Sequence, residues 1–525
     1  MKRLRQYCKN FFDKCELDSC TEIDKRCLNV ALSRFLDSGK KEDAFDVYFC
    51  FAEIFKVFGN GYCENTRHLL EIICEYEMSA GTLVEKQRDH YSHSVFVFAI
   101  GLAIYERSSK YRRCFRNKTE NVKRKIDEEF LYRWGLAALF HDIGYPFEIV
   151  FEQIKAYTQN VNEGGGYYPI LTYKELNKFV AWEDKNINKE LAAAVCKKLG
   201  LPFEIVLNKL NNLMDESNVY MDHAYFSAVM MYKNLIAHND SSAVLDIAAS
   251  ILLHNSFLIW KLKDCFKKKL NPAEDPLTFL LMFCDELQDF GREGFGKVSK
   301  KDNLAFTAEF SINKDVFKIV YVYDETGAGK VQERKDGKIA KLSFYDTEKL
   351  FDKVVIEFEV RECDKPSTIY MSANFFRNIQ KIAMQIHAFY LDDKREETLH
   401  ETWDSLTLEY KLSNIAQAKS YAEKLNQYGY FYDDRNLHYE TVTSFIPKQI
   451  DRLAIDEHNR WVKEKLGMGW KYGQPKDRAE RDALRIHKDI VPYQKLDDNA
   501  KEKDRDAIRH LIGNLELAGF KIYKL

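Results

Sequence analysis

Proline is scarce in this chain, nine in 525 residues. So few breaks leave room for long uninterrupted helices. The 12 cysteines include no CxxC pair, the spacing that zinc ribbons and dithiol redox sites use. Their scatter is that of reduced thiols, and a cytoplasmic location is expected. Cys8, Cys15, Cys20 and Cys27 recur at about two-turn steps, which predicts a shared buried face of one helical segment rather than a zinc site. No apolar run reaches the ~18 residues of a membrane span; even "AVLDIAASILLHNSFLIW" carries Asp246, His254 and Asn255. The opening "MKRLRQYCKNFFDKC" is basic but has neither the apolar stretch nor the small-residue cleavage site of a secretory signal. A net charge of −2 gives no global pull toward nucleic acid or anionic lipid, so no membrane partner is expected and nucleic acid stays an open question.

What the chain does have is apolar residues at three- and four-residue steps. Up to about residue 295, segments such as "AFDVYFCFAEIFKVFG", "HSVFVFAIGLAIYERS" and "EEFLYRWGLAALFHD" predict helices, interrupted by a loop at Gly164 to Gly166. Near residue 303 the pattern changes to alternation. "LAFTAEFSI", "VFKIVYVYD", "AKLSFYD" and "KVVIEFEV" predict an antiparallel meander, with turns at "ETGAGK" and "KDGK". The "GAGK" at Gly327 to Lys330 is not a phosphate loop: Asp324 replaces the first glycine, no Ser or Thr follows, and no helix is expected to begin there. "SANFFRNIQKIAMQIHAFYLDD" and "NIAQAKSYAEKLNQYG" return to helix, separated by a charged linker.

The chemistry-bearing residues sit inside or at the edge of apolar helices. His90 and His93 fall one turn apart in "RDHYSHSVFVF"; His141 and Asp142 end "LAALFHD"; Asp222 and His223 lie in "YMDHAYF", His254 in "ILLHNSF" and Asp285 in "LLMFCDELQDFGRE". Burying such groups is costly unless they find partners. Each alone is explained by a hydrogen-bonded core histidine or a helix cap. Together they form the imidazole and carboxylate mixture that binds Mn, Mg, Co, Ni, Fe or Zn, as one or two ions, with positions left for water.

This ordered set resembles the HD-domain metal-dependent phosphohydrolases, an all-helical family named for adjacent His and Asp ligands. The resemblance covers residues ~80 to 295 and implies His93, His141, Asp142 and Asp285 as core ligands. His223 and His254 would complete a second metal site or act on the leaving oxygen, with Asp142, His223 and His254 carrying catalysis. His90 could replace His93 as first ligand or contact phosphate, and Asp222 would orient His223. Arg88, Glu148 and Arg292 are further candidates for substrate contact. The sequence "HDIGYPFE" keeps Gly144, Pro146 and Phe147 of the triphosphohydrolase continuation "HDxGHxPFxH", whose histidines serve catalysis, but offers Tyr145 and Glu148. It also lacks the longer motif of the cyclic-di-GMP enzymes.

The end of the chain closely resembles the RyR domain, a small helical module named from ryanodine receptors. The resemblance rests on His458, Trp461, "GWKYG" (Gly469 to Gly473), Lys476, Asp477, His487, "VPY" (Val491 to Tyr493) and "EKDRDAIR". Physically, Trp461, Trp470 and Tyr472 could stack a base, and Lys476 or Arg505 could hold phosphate, or all could pack the module itself.

The fold expected is therefore mainly α. Residues 1–80 are the N-terminal helical part of an HD domain, 81–295 its phosphohydrolase core, 296–400 an antiparallel β meander plus helix, 401–450 a helical linker and 451–525 a RyR-like domain. The resemblances imply a nucleotide phosphohydrolase acting on (deoxy)nucleoside triphosphates in bacterial antiviral defence, regulated by a nucleotide at the RyR-like end and assembled as a homo-oligomer. The alternatives are a phosphodiesterase on cyclic or linear oligonucleotides and a nonhydrolytic metal-containing nucleotide sensor.

Overall fold

The computed structural model describes residues 1–57, 87–119, 124–146, 148, 185–212, 222–235, 241–255, 269–292, 294–295, 305–313, 316–323, 331–361, 373–392 and 402–525. The loop at Gly164 to Gly166, the Gly327 to Lys330 stretch, Phe147 and the Arg88 side chain lie outside them. No helix among the described residues is long and apolar enough to cross a membrane. The chain divides into two compact units, residues 1–21 with 31–366, and residues 22–30 with 367–525.

The first unit is helical, as the periodicity predicts. Its helices are α1 (Lys2–Lys14), the second half of α2 (Glu22–Ser38), α3 (Lys41–Phe55), α4 (Tyr91–Arg107), α5 (Ser109–Lys118), α6 (Ile126–Phe140), α7 (Lys185–Leu199), α8 (Phe203–Asn212), α9 (His223–Leu235), α10 (Ser241–His254) and α11 (Pro276–Leu287). α4 is buried from Tyr91 to Tyr105, the behaviour of a helix that is apolar all round. It packs on α6 and α11, which also pack on α10, while α9 lies along α10. Close approach of α4 and α6 depends on Gly101: a Cβ there would lie 2.1 Å from the Trp134 ring, whose Nε1–H donates to the Phe98 carbonyl at 2.9 Å. α11 starts at a capped end, with Asp275 accepting from the Thr278 N–H at 3.2 Å and Pro276 in the first turn.

The four N-terminal cysteines do not share one helix. α1 ends at Lys14 and α2 starts at Glu22, so Cys15 and Cys20 fall between helices; Cys8, Cys15 and Cys27 are buried and Cys20 is not.

The small sheet is present, but only half of it is a meander. β1 (Gln87–Arg88) pairs with β2 (Gly294–Phe295), tying the approach to α4 to the segment after α11. β3 (Thr307–Asn313) and β4 (Val316–Tyr323) form the expected antiparallel hairpin, whereas β5 (Lys353–Val360) joins β4 in parallel. A parallel return needs a crossover, and α12 (Val331–Leu342) provides it. The expected turn "KDGK" and the start of the expected strand "AKLSFYD" are thus helical. Tertiary contact overrides the Gly337 signal: Lys338 is buried and donates to the Glu286 carbonyl at 2.6 Å. A helix therefore does begin beside the Gly327 to Lys330 stretch, yet Asp324 and Val331 still stand where a phosphate loop needs Gly and Ser or Thr.

The second unit holds α13 (Ala373–Asp392), α14 (Leu408–Lys419), α15 (Tyr421–Asn426), β6 (Tyr430–Asp433), α16 (Pro447–Gly467), β7 (Lys471–Tyr472), α17 (Arg478–Leu484), β8 (Ile486–His487), α18 (Asp498–Arg509), α19 (Leu511–Leu517) and β9 (Lys521–Lys524). β9 pairs antiparallel with β6, and β7 pairs parallel with β8. The C-terminal strand is thereby anchored on residues that precede the aromatic module recognised in sequence.

Within the first unit, buried Lys198 of α7 reaches Asp246 of α10 at 2.6 Å and Asp275 at the head of α11 at 3.0 Å. Arg133 of α6 also pairs with Asp246, at 3.2 Å. The ion pairs join the three helices whose other ends carry His141, His254 and Asp285. Replacing Lys198 by Met leaves the buried Asp275 carboxylate without its cation, and should destabilise the protein by about 3–5 kcal/mol in urea unfolding. A loss below about 1 kcal/mol would show that the pair is not what holds these helices.

Candidate metal centre

Five helices deliver six groups to a common point. His93 stands in the first turn of α4, His141 follows the last residue of α6 with Asp142 next to it, His223 opens α9, His254 ends α10, and Asp285 lies in the last turn of α11. The turn after Asp142 closes tightly because Gly144 is glycine. A Cβ at that position would lie 2.5 Å from the His223 carbonyl and 2.6 Å from the Ser227 nitrogen. The Gly144 N–H donates instead to Ser227 Oγ at 2.8 Å, fastening the His-Asp turn to α9.

The orientation of the rings fixes what they offer. His141 donates Nδ1–H to the Ala138 carbonyl at 2.8 Å, and His254 donates Nδ1–H to the Ile251 carbonyl at 2.6 Å. Nδ1–H of His93 is spent on Gln288 Oε1, and Gln288 is turned that way because its amide donates to the Phe290 carbonyl at 2.7 Å. His223 Nδ1 meets Glu148 Oε2 at 2.5 Å. Every one of the four rings is thus held through Nδ1 and presents Nε2 inward.

Those Nε2 atoms surround Asp142. His141 Nε2 lies 3.4 Å and His93 Nε2 3.9 Å from Oδ2; His223 and His254 Nε2 each lie 3.4 Å from Oδ1 and 3.2 Å from each other. Donors that share one ion at ~2.0–2.2 Å sit roughly 3–4.4 Å apart. The groups form two triads with Asp142 common to both, His93, His141 and Asp142, and Asp142, His223 and His254. Asp285 stands beside the first, 2.8 Å from His93 Nε2 and 3.9 Å from His141 Nε2. His141 Nε2 is buried with no hydrogen-bond partner among the described residues, an expense that a cation removes. The donor set therefore fits one or two divalent ions; nothing in it selects among Mn, Mg, Co, Ni, Fe and Zn.

Electrostatics divide the histidines. Burial pushes His141 down to about 4 and His90 down to about 3, so both rings are neutral. Burial would raise Asp142, but His141 and His90 hold it well below the usual carboxylate range. At His223 burial opposes charge, and Glu148 overrides it to bring the group up to about 10.

The geometry separates His93 from His90. His93 is in the first triad, while His90 hydrogen-bonds Asp142 Oδ2 from the side at 2.7 Å. Arg292 reaches the same ring, its NH2 3.2 Å from His90 Nδ1 and its Nε donating to the Asp89 carbonyl at 2.9 Å. Asp222 does not orient His223. Its Oδ1 accepts from the Ala224 N–H and from Asn255, each at 3.0 Å, and Glu148 performs the orienting instead. Gln288 and Tyr145 were not legible as site residues. Tyr145 stacks on His90 at 3.6 Å and meets His223 edge-on at 5.4 Å.

The second unit has its own candidate site. A cavity of about 230 Å³ is lined by Trp461, Trp470, Tyr410, Lys465, His487 and Asn414, among others. Trp461 and Trp470 are the sequence candidates that it contains. Tyr472 is exposed outside it, Lys476 donates its backbone N–H to Glu480, and Arg505 is paired with Asp451 and Glu502 at 2.7 and 2.9 Å. Trp470 is engaged already: its Nε1–H bonds Glu409, and Lys465 Nζ sits 4.6 Å from its ring centroid.

The RyR domain family matches residues 436–524. The C-terminal segment thus carries the RyR-type likeness, starting earlier than position 451. No solved structure matches the chain.

Two outcomes are expected. Glu148→Gln removes the charge that holds His223 and should weaken binding at the second triad by about 10–100-fold, read as metal stoichiometry after dialysis; unchanged stoichiometry would show that His223 needs no carboxylate. In the second unit, buried Glu457 is raised by burial but held down to about 2 by Arg460 and Lys424. A folded value below the unfolded one means stability that is present above pH ~4.5 and lost as pH falls toward 2, on the order of 3 kcal/mol. Acid unfolding of Glu457→Gln should lack that component of the pH slope.

Proposed function

We propose that this protein is a divalent-metal-dependent nucleotide phosphohydrolase of HD type, with (deoxy)nucleoside triphosphates as the leading substrates and a nucleotide held by the C-terminal unit as regulator. The observation that carries the reading is the convergence of four Nε2 atoms on Asp142, with His141 Nε2 buried and unpartnered. Hydrogen bonding alone leaves that atom unsatisfied. His93, His141, Asp142 and Asp285 would hold one ion, and Asp142, His223 and His254 a second. A divalent ion bound there supplies Lewis acidity, which lowers the pKa of water and offsets phosphoryl charge.

The chain's own residues do the rest. Asp142, shared between the triads, fixes their spacing. Gln288, Ala138, Ile251 and Glu148 fix the ring orientations, so nothing reorganises when charge develops at phosphorus. The Arg292 guanidinium reaches the edge of the cluster through His90 and supplies positive charge for a phosphate. Cleavage between the α-phosphorus and O5′ by water gives nucleoside and tripolyphosphate. Loss of the nucleotide pool is the antiviral consequence that the resemblance implies.

A second reading, phosphodiesterase action on cyclic or linear oligonucleotides, is favoured by one observation. Asp142 is common to two triads, an arrangement suited to clamping both the attacking and the leaving oxygen of a phosphodiester.

Incubation with Mn, Mg or Co and a panel of dNTPs, NTPs and cyclic dinucleotides separates these readings by product. Tripolyphosphate plus nucleoside supports the first, and a linearised dinucleotide the second. Absence of turnover by protein that has bound metal would overturn both in favour of a nonhydrolytic sensor. Asp142→Ala should reduce turnover by more than the roughly 10–100-fold that outer partners carry, and EDTA should abolish it; an Asp142→Ala protein with full activity would sink the catalytic assignment.

A further inference from the structure

The cavity in the second unit is built by more than the segment that matches the RyR domain. Residues 436–524 supply Trp461, Lys465, Trp470 and His487, but a whole wall comes from α13 and α14, which precede that segment. On this wall sits Asn414. It is only 8% exposed and its side chain makes no hydrogen bond among the described residues, yet it lines the cavity. Its amide faces the cavity, so a bound molecule can take the hydrogen bonds that water otherwise makes there.

The other wall is aromatic. Trp461 is half-buried and meets the His487 ring edge-on at 4.9 Å. The acids in the lining have partners, Glu457 with Lys424 and Arg460, Asp504 with His458 at 3.3 Å and Asp489 with His487 at 3.8 Å. Lys503 also lines the cavity, as does Arg481, which is paired with Asp482 at 2.9 Å. At about 230 Å³ the space is below the roughly 300–1,000 Å³ of drug-sized clefts, which suits one base with its sugar better than a dinucleotide.

We infer that this cavity binds a mononucleotide whose base lies against Trp461 and presents a paired donor and acceptor to Asn414, so that α14 and the RyR-matching segment form one site. An adenine edge offers that pairing to an asparagine amide. The inference rests on the regulatory part of the reading above, and makes Asn414 the residue that sets base preference.

The test is calorimetric titration of the full chain with AMP, GMP and CMP in EDTA, which removes metal-dependent binding at the histidine cluster. AMP should bind at one site and more tightly than the others. Asn414→Leu should weaken AMP by at least tenfold and flatten the preference, and Trp461→Ala should abolish binding. If Asn414→Leu melts early, Ser413→Phe, which fills the cavity from a half-exposed position on the same helix, takes its place. Full AMP affinity in the α14 variants with loss in Trp461→Ala overturns the shared site but leaves the regulatory reading standing. Failure of the unaltered protein to bind any of the three overturns both.

Discussion

The Asp142 carboxylate is 5% exposed and has imidazole nitrogens on both of its oxygens. A carboxylate so buried is tolerable only if positive charge or strong donors surround it. Most features of the first unit follow from meeting that demand. α4, α6, α10 and α11 are apolar nearly throughout, so the polar groups near their ends have no water to turn to and must serve one another. The helices approach closely enough because Gly101 and Gly144 leave out a side chain where Trp134 and the α9 backbone pass. The Lys198 and Arg133 ion pairs hold three of the same helices at their far ends.

How the rings are gripped matters as much as where they are. A free imidazole near a carboxylate settles the matter by donating a proton. Here Nδ1 of His93, His141 and His254 is committed to a carbonyl or amide oxygen and that of His223 to a carboxylate. In His93, His141 and His254 the tautomer is thereby fixed and a lone pair is left facing other acceptors, while Glu148 favours a charged His223. That is a worse arrangement than an apolar core for stability alone. It becomes favourable when a cation enters, which is why the orientation of the rings carries more weight than their proximity.

The clustering of these His and Asp residues was legible in the sequence because each lies at the edge of an apolar helical run, where an unpartnered His or Asp makes no sense locally. The ring partners were less legible. Gln288 and Ala138 lie three residues from a ligand in sequence, but nothing about them marks a contact with imidazole. Asp222 was misleading for the opposite reason: adjacency to His223 suggested an orienting bond, whereas at the start of a helix its carboxylate is better used as a cap. In the sheet, alternation announced strands, yet periodicity says nothing of direction. A Gly337 that reads as a turn is absorbed into α12 once Lys338 finds Glu286, and the third strand then returns in parallel.

The second unit shows a related limit of reading motifs as sites. Five aromatic or basic residues stood out there as ligand contacts, and two of them line the cavity. Tyr472 and Arg505 stand out in sequence because they are large and functional in type, but a ligand site needs concavity, and concavity is contributed by elements distant in the chain. Trp470 lines the cavity and yet has its N–H on Glu409 and its face under Lys465, so it is better seen as a fixed wall than as a partner that opens for a base. Asn414, by contrast, has no motif around it and sits in an unexceptional helix. Its place in the proposal arises only from lining, on a largely buried helix face, the space that Trp461 also lines.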